Sequence, residues 1–242
     1  MLGVIPARLA STRLPRKVLR EIAGEPMLAW VYRAARDCKL LDQVLIATDS
    51  DEVMDFARQH GLAAALTPTN CASGTDRVYA VAQSVAADIY VNIQGDEPML
   101  HPEHISALLE PFSRAEVEVA TLATPCMPDQ IENPNAVKVV TAANGRALYF
   151  SRATIPYDRD RQGRTAYRKH LGLYAYRNAA LQRFPHLPSS ALEAAEKLEQ
   201  LRFLENGIDI YVTETPHDTI GVDTEEDLRR VEEILRETRI SP

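Results

Sequence analysis

What most constrains this chain is an alternation. Through its first half, short apolar runs suited to strands trade places with segments of helical period. Strand character at Leu2–Ile5, Val44–Thr48 and Ile89–Ile93 alternates with helices expected over about Pro26–Cys38, Asp51–His60 and Thr75–Ala87. Ser50 reads as a helix N-cap, and Gly61 lies just past the end of the helix it starts. Repeated strand–helix–strand units with right-handed crossovers give a mostly parallel sheet. The expected fold is therefore α/β, three-layered and Rossmann-like. The second half is less regular, with strands expected at Val119–Ala123, Ala136–Thr141, Ala147–Arg152 and Leu171–Tyr176. Their short connections suggest antiparallel or mixed pairing, as in a smaller lid-like addition. One helix over about Ala191–Asn206, a strand at Ile208–Thr213 and a helix over Thr224–Arg236 complete the reading. Thr224 with Asp227 has the spacing of a capping box.

Two loops leave the carboxyl ends of expected strands, which is where open α/β sheets place their ligands. The first follows Pro6, whose missing N–H ends the opening strand, and carries Arg8, Arg13, Arg16 and Lys17. Such a cluster suits an anion, and a phosphate-rich ligand above all, although a solvated basic loop would look the same. It has neither the Gly-Lys-Ser/Thr of a Walker loop nor the three ordered glycines of a dinucleotide fingerprint, so ATPase and dehydrogenase readings lose ground. The second loop is Gln94-Gly95-Asp96-Glu97-Pro98. A carboxylate in so tight a loop suggests a hard cation such as Mg²⁺, which one or two carboxylates hold together with substrate phosphates. Asp223, in Gly221-Val222-Asp223, is the candidate second ligand. Asp96 as a turn residue and Asp223 as a helix cap are the alternatives.

Composition narrows the class further. A formal charge of −7 over 242 residues argues against a broad electrostatic grip on nucleic acid, so the cations of the opening loop are a local feature. Cys38, Cys71 and Cys126 are scattered and odd in number, which points away from a disulfide framework or thiolate zinc site and toward a reducing compartment. No apolar run approaches the ~20 residues needed to span a bilayer. A cytoplasmic enzyme without membrane attachment is expected.

Taken together, Ile5-Pro-Ala-Arg8 through Lys17, Ser73-Gly-Thr-Asp-Arg77 and Gln94-Gly-Asp-Glu-Pro98 resemble the 3-deoxy-D-manno-octulosonate (Kdo) cytidylyltransferases, or CMP-Kdo synthetases. Asn133–Lys138, Ala147–Arg152, Ile155–Arg159, His170–Tyr174, Leu198–Arg202 and Gly221–Thr224 match that family's patterns in the same order, so the resemblance spans essentially the whole chain. It implies a nucleotidyltransferase-type fold in which residues 1–242 form one domain. Residues 1–125 would mainly bind CTP, and about 126–220 would contribute sugar-binding and dimerisation elements. The implied reaction joins CTP and Kdo to give CMP-Kdo and pyrophosphate, ahead of lipopolysaccharide assembly, in a homodimer that uses Mg²⁺.

Carried over residue by residue, Ala7, Arg8, Ser11, Arg13 and Lys17 would meet the CTP phosphates, and Ser73, Gly74 and Arg77 the cytosine and ribose. Asp96 and Asp223 would hold magnesium, and together with Arg13 and Lys17 they form the expected catalytic set. Gln94, Arg152, Arg159, His170, Tyr174, Glu199 and Gln200 would surround the sugar. His170 also fits a satisfied core histidine, and the basic stretch from Arg159 through Arg161, Arg164 and Arg168 to Lys169 fits an exposed loop. Two departures stand out. Arg16 replaces a common glycine, which would cost strain if φ were positive there, and Asp76 replaces a longer glutamate.

Overall fold

The computed structural model describes residues 1–9, 13–160, 163 and 165–240. Two compact units emerge, one made of residues 1–106 and 219–242 and the other of residues 107–218.

The first unit is built on β1 (Leu2–Pro6). A 3₁₀ turn at Lys17–Leu19 leads into a small hairpin of β2 (Glu21–Ile22) and β3 (Glu25–Pro26). Ala23 and Gly24 both have positive φ, the backbone of the two-residue turn whose twist suits a hairpin. Then come α1 (Met27–Asp37), β4 (Gln43–Thr48), α2 (Asp51–Gln59), β5 (Ala64–Leu66), α3 (Gly74–Ala82), β6 (Ile89–Asn92) and α4 (Pro102–Leu109). β1 pairs in parallel with β4 on one side and β6 on the other, and β5 extends the β4 edge. This is the expected parallel sheet. Because β1 has a partner on each side, the crevice beyond its carboxyl end is flanked by the ends of β4 and β6, the topological switch point of such sheets.

The second unit holds β7 (Val119–Pro125), β8 (Lys138–Thr141), β9 (Ala147–Ser151), β10 (Arg168–Arg177), α5 (Asn178–Arg183), α6 (Ala191–Glu196), α7 (Leu201–Glu205) and β11 (Ile210–Glu214). Its pairing is mixed, as expected: β10 runs antiparallel to β7 and β8, β8 antiparallel to β9, and β11 parallel to β7. The chain then returns to the first unit with α8 (Glu225–Ile240).

Several expectations need correction. The single helix over Ala191–Asn206 is in fact two, separated by Lys197 at φ 54°. At the break the Arg152 side chain takes up the freed carbonyl of Glu196, its Nε donating at 2.7 Å. β10 is longer than the expected Leu171–Tyr176, and its register against β7 shifts between Leu171 and Tyr174. The Thr121 hydroxyl fills the irregularity, 2.7 Å from the Leu173 carbonyl. The helix expected to reach Ala87 stops at Ala82, and the Tyr90 hydroxyl pins the following turn by donating to Val85 O and accepting from Ala87 N–H.

Candidate active site

The opening loop leaves β1 at Pro6, and Ala7 N–H still bonds the Ala47 carbonyl of β4 at 2.8 Å. Farther on, Leu14 turns inward and is fully buried in a cluster with Ile22, Met27, Val222, Leu228 and Val231. This cluster ties the loop to α8 and to the segment before it. Leu14 lies between Arg13 and Lys17 in sequence and Val222 is next to Asp223, so the cluster anchors the two segments that carry these charged groups. Arg16 does have φ 56°, ψ 30°, the left-handed conformation that favours glycine, and its guanidinium pairs with Glu52.

Asp96 arrives from the carboxyl end of β6. Gly95 before it is tightly constrained, since a Cβ there would lie 2.8 Å from the Pro6 carbonyl oxygen. Only glycine lets the two chains approach so closely. The Asp96 carbonyl accepts from Val222 N–H at 2.9 Å, a main-chain bond that brings the Asp223 segment alongside. Lys17 completes the convergence, with Nζ donating to Asp96 Oδ2 at 2.5 Å and to Asp223 Oδ1 at 2.8 Å. Arg13 pairs with the other Asp223 oxygen at 2.9 Å. Asp223 does not cap α8. Thr224 does, through a reciprocal capping box with Asp227 at 2.9 and 3.1 Å. Burial works against the Lys17 charge, but Asp96 and Asp223 outweigh it and hold the ammonium above its ordinary value. For Asp223, burial is likewise outweighed by Lys17 and Arg13, and the carboxyl lies below its ordinary value.

These groups line a cavity of about 650 Å³ together with Ala7, Arg8, Ser73, Gly74, Arg77 and Gln94. Ser73 caps α3 through a capping box with Asp76, whose carboxylate accepts from the Ala72 and Ser73 N–H groups at 3.1 Å. The shorter acid therefore still reaches. Arg77 is buried, and its guanidinium is held by Asp49 at 3.0 Å and by the Thr67 hydroxyl at 2.5 Å. Of the residues expected around a nucleotide triphosphate, all but Ser11 line this cavity; Ser11 lies outside the described residues, as do Arg161 and Arg164. Sequence reasoning missed Leu14 and Gly95 as positioning residues and Asp49 and Thr67 as partners of Arg77.

Among residues expected around the sugar, Gln94 belongs to the first unit and the other six to the second. The His170 ring packs against Phe150 and Tyr174, with centroids 5.0 and 5.5 Å away, and its Nε2 lies 3.0 Å from the Thr121 hydroxyl. Burial pushes its pKa down to about 3 and keeps the ring neutral. Burial, with the charges of Tyr176 and Glu199, raises the Tyr174 phenol well above its ordinary value. Gln200 is buried, and its Nε2 has no hydrogen-bond partner. Arg159 is exposed. Arg152 is committed to main-chain carbonyls at Pro134, Glu196 and Lys197. Its own carbonyl accepts from Lys138, a fully buried ammonium that also donates to the Asn133 and Ala136 carbonyls at 2.8 and 2.6 Å.

Two hard carboxylates converging on one cation are the donor set that Mg²⁺ takes when phosphates complete its shell. Among the described residues there is no group of three or more His, Cys, Asp or Glu side chains placed to hold a metal ion. No helix among them is long and apolar enough to cross a membrane.

Comparison with known proteins bears on this site. A family model described as cytidylyltransferase matches residues 2–210. A 3-deoxy-manno-octulosonate cytidylyltransferase of Acidobacterium capsulatum is 73% identical over 239 residues, covering 99% of this chain and 98% of its own. One from Koribacter versatilis is 63% identical, covering 97% and 90%. A solved structure of a CMP:2-keto-3-deoxy-manno-octonic acid synthetase complexed with CTP superposes with a TM-score of 0.94 at 41% identity over 98% of each chain. A cytidylyltransferase from Leptospira borgpetersenii, 14% identical with a TM-score of 0.64 over 97% of this chain and 86% of its own, shares the fold.

Proposed function

The chain belongs to the 3-deoxy-manno-octulosonate cytidylyltransferase family, and from that premise we propose how its residues divide the work. It is a nucleotidyltransferase that joins CTP and Kdo to give CMP-Kdo and pyrophosphate, supplying an activated sugar for lipopolysaccharide. The observation that carries the assignment of roles is the convergence of Lys17, Asp96 and Asp223 in the cavity beyond β1.

CTP enters that cavity with its phosphates toward Arg8, Arg13 and Lys17, and with its cytosine and ribose toward Ser73 and Gly74. Arg77 shapes the wall, held in place by Asp49. The anomeric hydroxyl of Kdo attacks the α-phosphorus as the bond to pyrophosphate breaks. Lys17 and Arg13 neutralise the charge that builds on the leaving group, a contribution of position and electrostatics. Asp96 and Asp223 would hold Mg²⁺, which when bound would polarise the phosphate and lower the pKa of the attacking hydroxyl. In the second unit, His170, Tyr174, Glu199, Gln200 and Arg159 recognise the sugar acid. The protein works in the cytoplasm, consistent with free thiols at Cys38, Cys71 and Cys126. It acts as a homodimer through its second unit, where Leu148 on β9 is an exposed apolar side chain. Sedimentation of the purified protein tests the dimer.

The activity itself is tested by following pyrophosphate release on mixing the protein with CTP, Mg²⁺ and Kdo. Release that needs all three is the expected result. Release with sialic acid and not Kdo would overturn the choice of sugar, and none with either would overturn the assignment.

A further inference from the structure

Lys17 does more in this structure than wait for a phosphate. Its ammonium lies between Asp96 and Asp223, bonding both at 2.5 and 2.8 Å, so the cation that satisfies the two carboxylates belongs to the protein. Resting on the reading that these aspartates hold the divalent ion, we infer that Lys17 is a placeholder cation. It keeps metal off Asp96 and Asp223 until a nucleoside triphosphate draws the ammonium away.

The placement argues for exchange. A divalent ion reaching the nucleotide-free protein must displace two charge-assisted hydrogen bonds, the strong kind, and a second cation, Arg13, competes for Asp223 at 2.9 Å. Both cations sit on flexible stems at the edge of a cavity also lined by Arg8, so a triphosphate entering there offers them better partners than two aspartates do. Once they turn to phosphate, Asp96 and Asp223 face each other without a counter-charge, and the metal's affinity rises. The two segments are already held side by side, since the Asp96 carbonyl accepts from Val222 N–H. Lys17 thus sets the order of binding, nucleotide before or together with metal, and protects the free protein from idle metal capture. By linkage, metal must then strengthen nucleotide binding by the same factor that nucleotide strengthens metal binding.

The test is binding of Mn²⁺ alone to the nucleotide-free protein, read by electron paramagnetic resonance of the unbound ion. Lys17→Gln should bind Mn²⁺ about 10-fold tighter than the wild type, a typical size for coupled sites. Lys17→Arg, which keeps a cation, should remain weak. Arg13→Gln leaves Lys17 in place and should give a smaller gain, so the ordering survives even if one variant folds poorly. Equal or weaker Mn²⁺ binding by both Gln variants would overturn the placeholder role. Adding Asp96→Asn to Lys17→Gln separates the two ideas. If the gain disappears, the ion was on these carboxylates; if it persists, the metal site in the proposed function is wrong and the inference goes with it.

Discussion

Two pairs of cations, one pair in each unit, are held in opposite ways. In the first, Lys17 and Arg13 are held by the side-chain carboxylates of Asp96 and Asp223. In the second, Lys138 and Arg152 are held almost wholly by main-chain carbonyls, three for each side chain. A carboxylate can trade one cation for another, whereas a carbonyl fixed in a turn has no other partner and leaves an unpaired polar group if its donor departs. The first arrangement is suited to ligand exchange and the second to holding shape. Residue type alone does not separate these two pairs; their acceptors do.

Substitutions on either side of this contrast should behave differently. The largest effect is expected at Asp96→Asn, which keeps the shape of the loop but removes a charge: kcat should fall on the order of 100-fold while CTP affinity changes far less. Steady-state kinetics beside calorimetric CTP titration would show it, and a variant with near-normal kcat would break the distinction between exchangeable and fixed charges. In the second unit, Lys138→Met should cost about 3 kcal/mol of stability, because one buried and two part-buried carbonyls lose their donor. Urea unfolding measures that loss, and CTP binding by the folded fraction should be unchanged.

His170 gives a pH-dependent version of the same test. Its ring ordinarily titrates near 6.5, and in the folded protein the value is about 3. Below pH 6.5 the unfolded chain therefore takes up a proton that the folded chain refuses. Stability should fall as the pH drops from 6.5 toward 3, by about 2 kcal/mol near pH 5, and His170→Gln should flatten that slope. The smallest effect belongs to Arg16→Gly. Relief of the left-handed backbone is worth about 1 kcal/mol and outweighs loss of the exposed pair with Glu52. A modest rise in melting temperature is the expected outcome.

Much of this was legible in the sequence where the governing interactions are local. The apolar runs of β1, β4 and β6 stand out because both sheet faces are covered, and the capping residues Ser50 and Thr224 stand within a few positions of the groups they satisfy. The two loops at strand ends were legible for the same reason. What was not legible depends on distant partners. The helix that local propensity favours is interrupted at Lys197, where Arg152, far away in sequence, bonds the Glu196 and Lys197 carbonyls. The irregularity in β10 depends on Thr121, the place of Lys17 on Asp223, and the burial of Lys138 on three main-chain acceptors, two of them in other segments of the chain. Leu14 looks like one more loop residue, yet it anchors the loop that carries both cations in the cluster with Val222.

The most direct test of the account is a crystal structure of the protein with CTP and no divalent metal. The triphosphate should lie in the cavity beyond β1, with Lys17 Nζ on its oxygens and withdrawn from Asp96 and Asp223. A nucleotide bound elsewhere, or Lys17 still bridging the two aspartates beside a bound triphosphate, would contradict it.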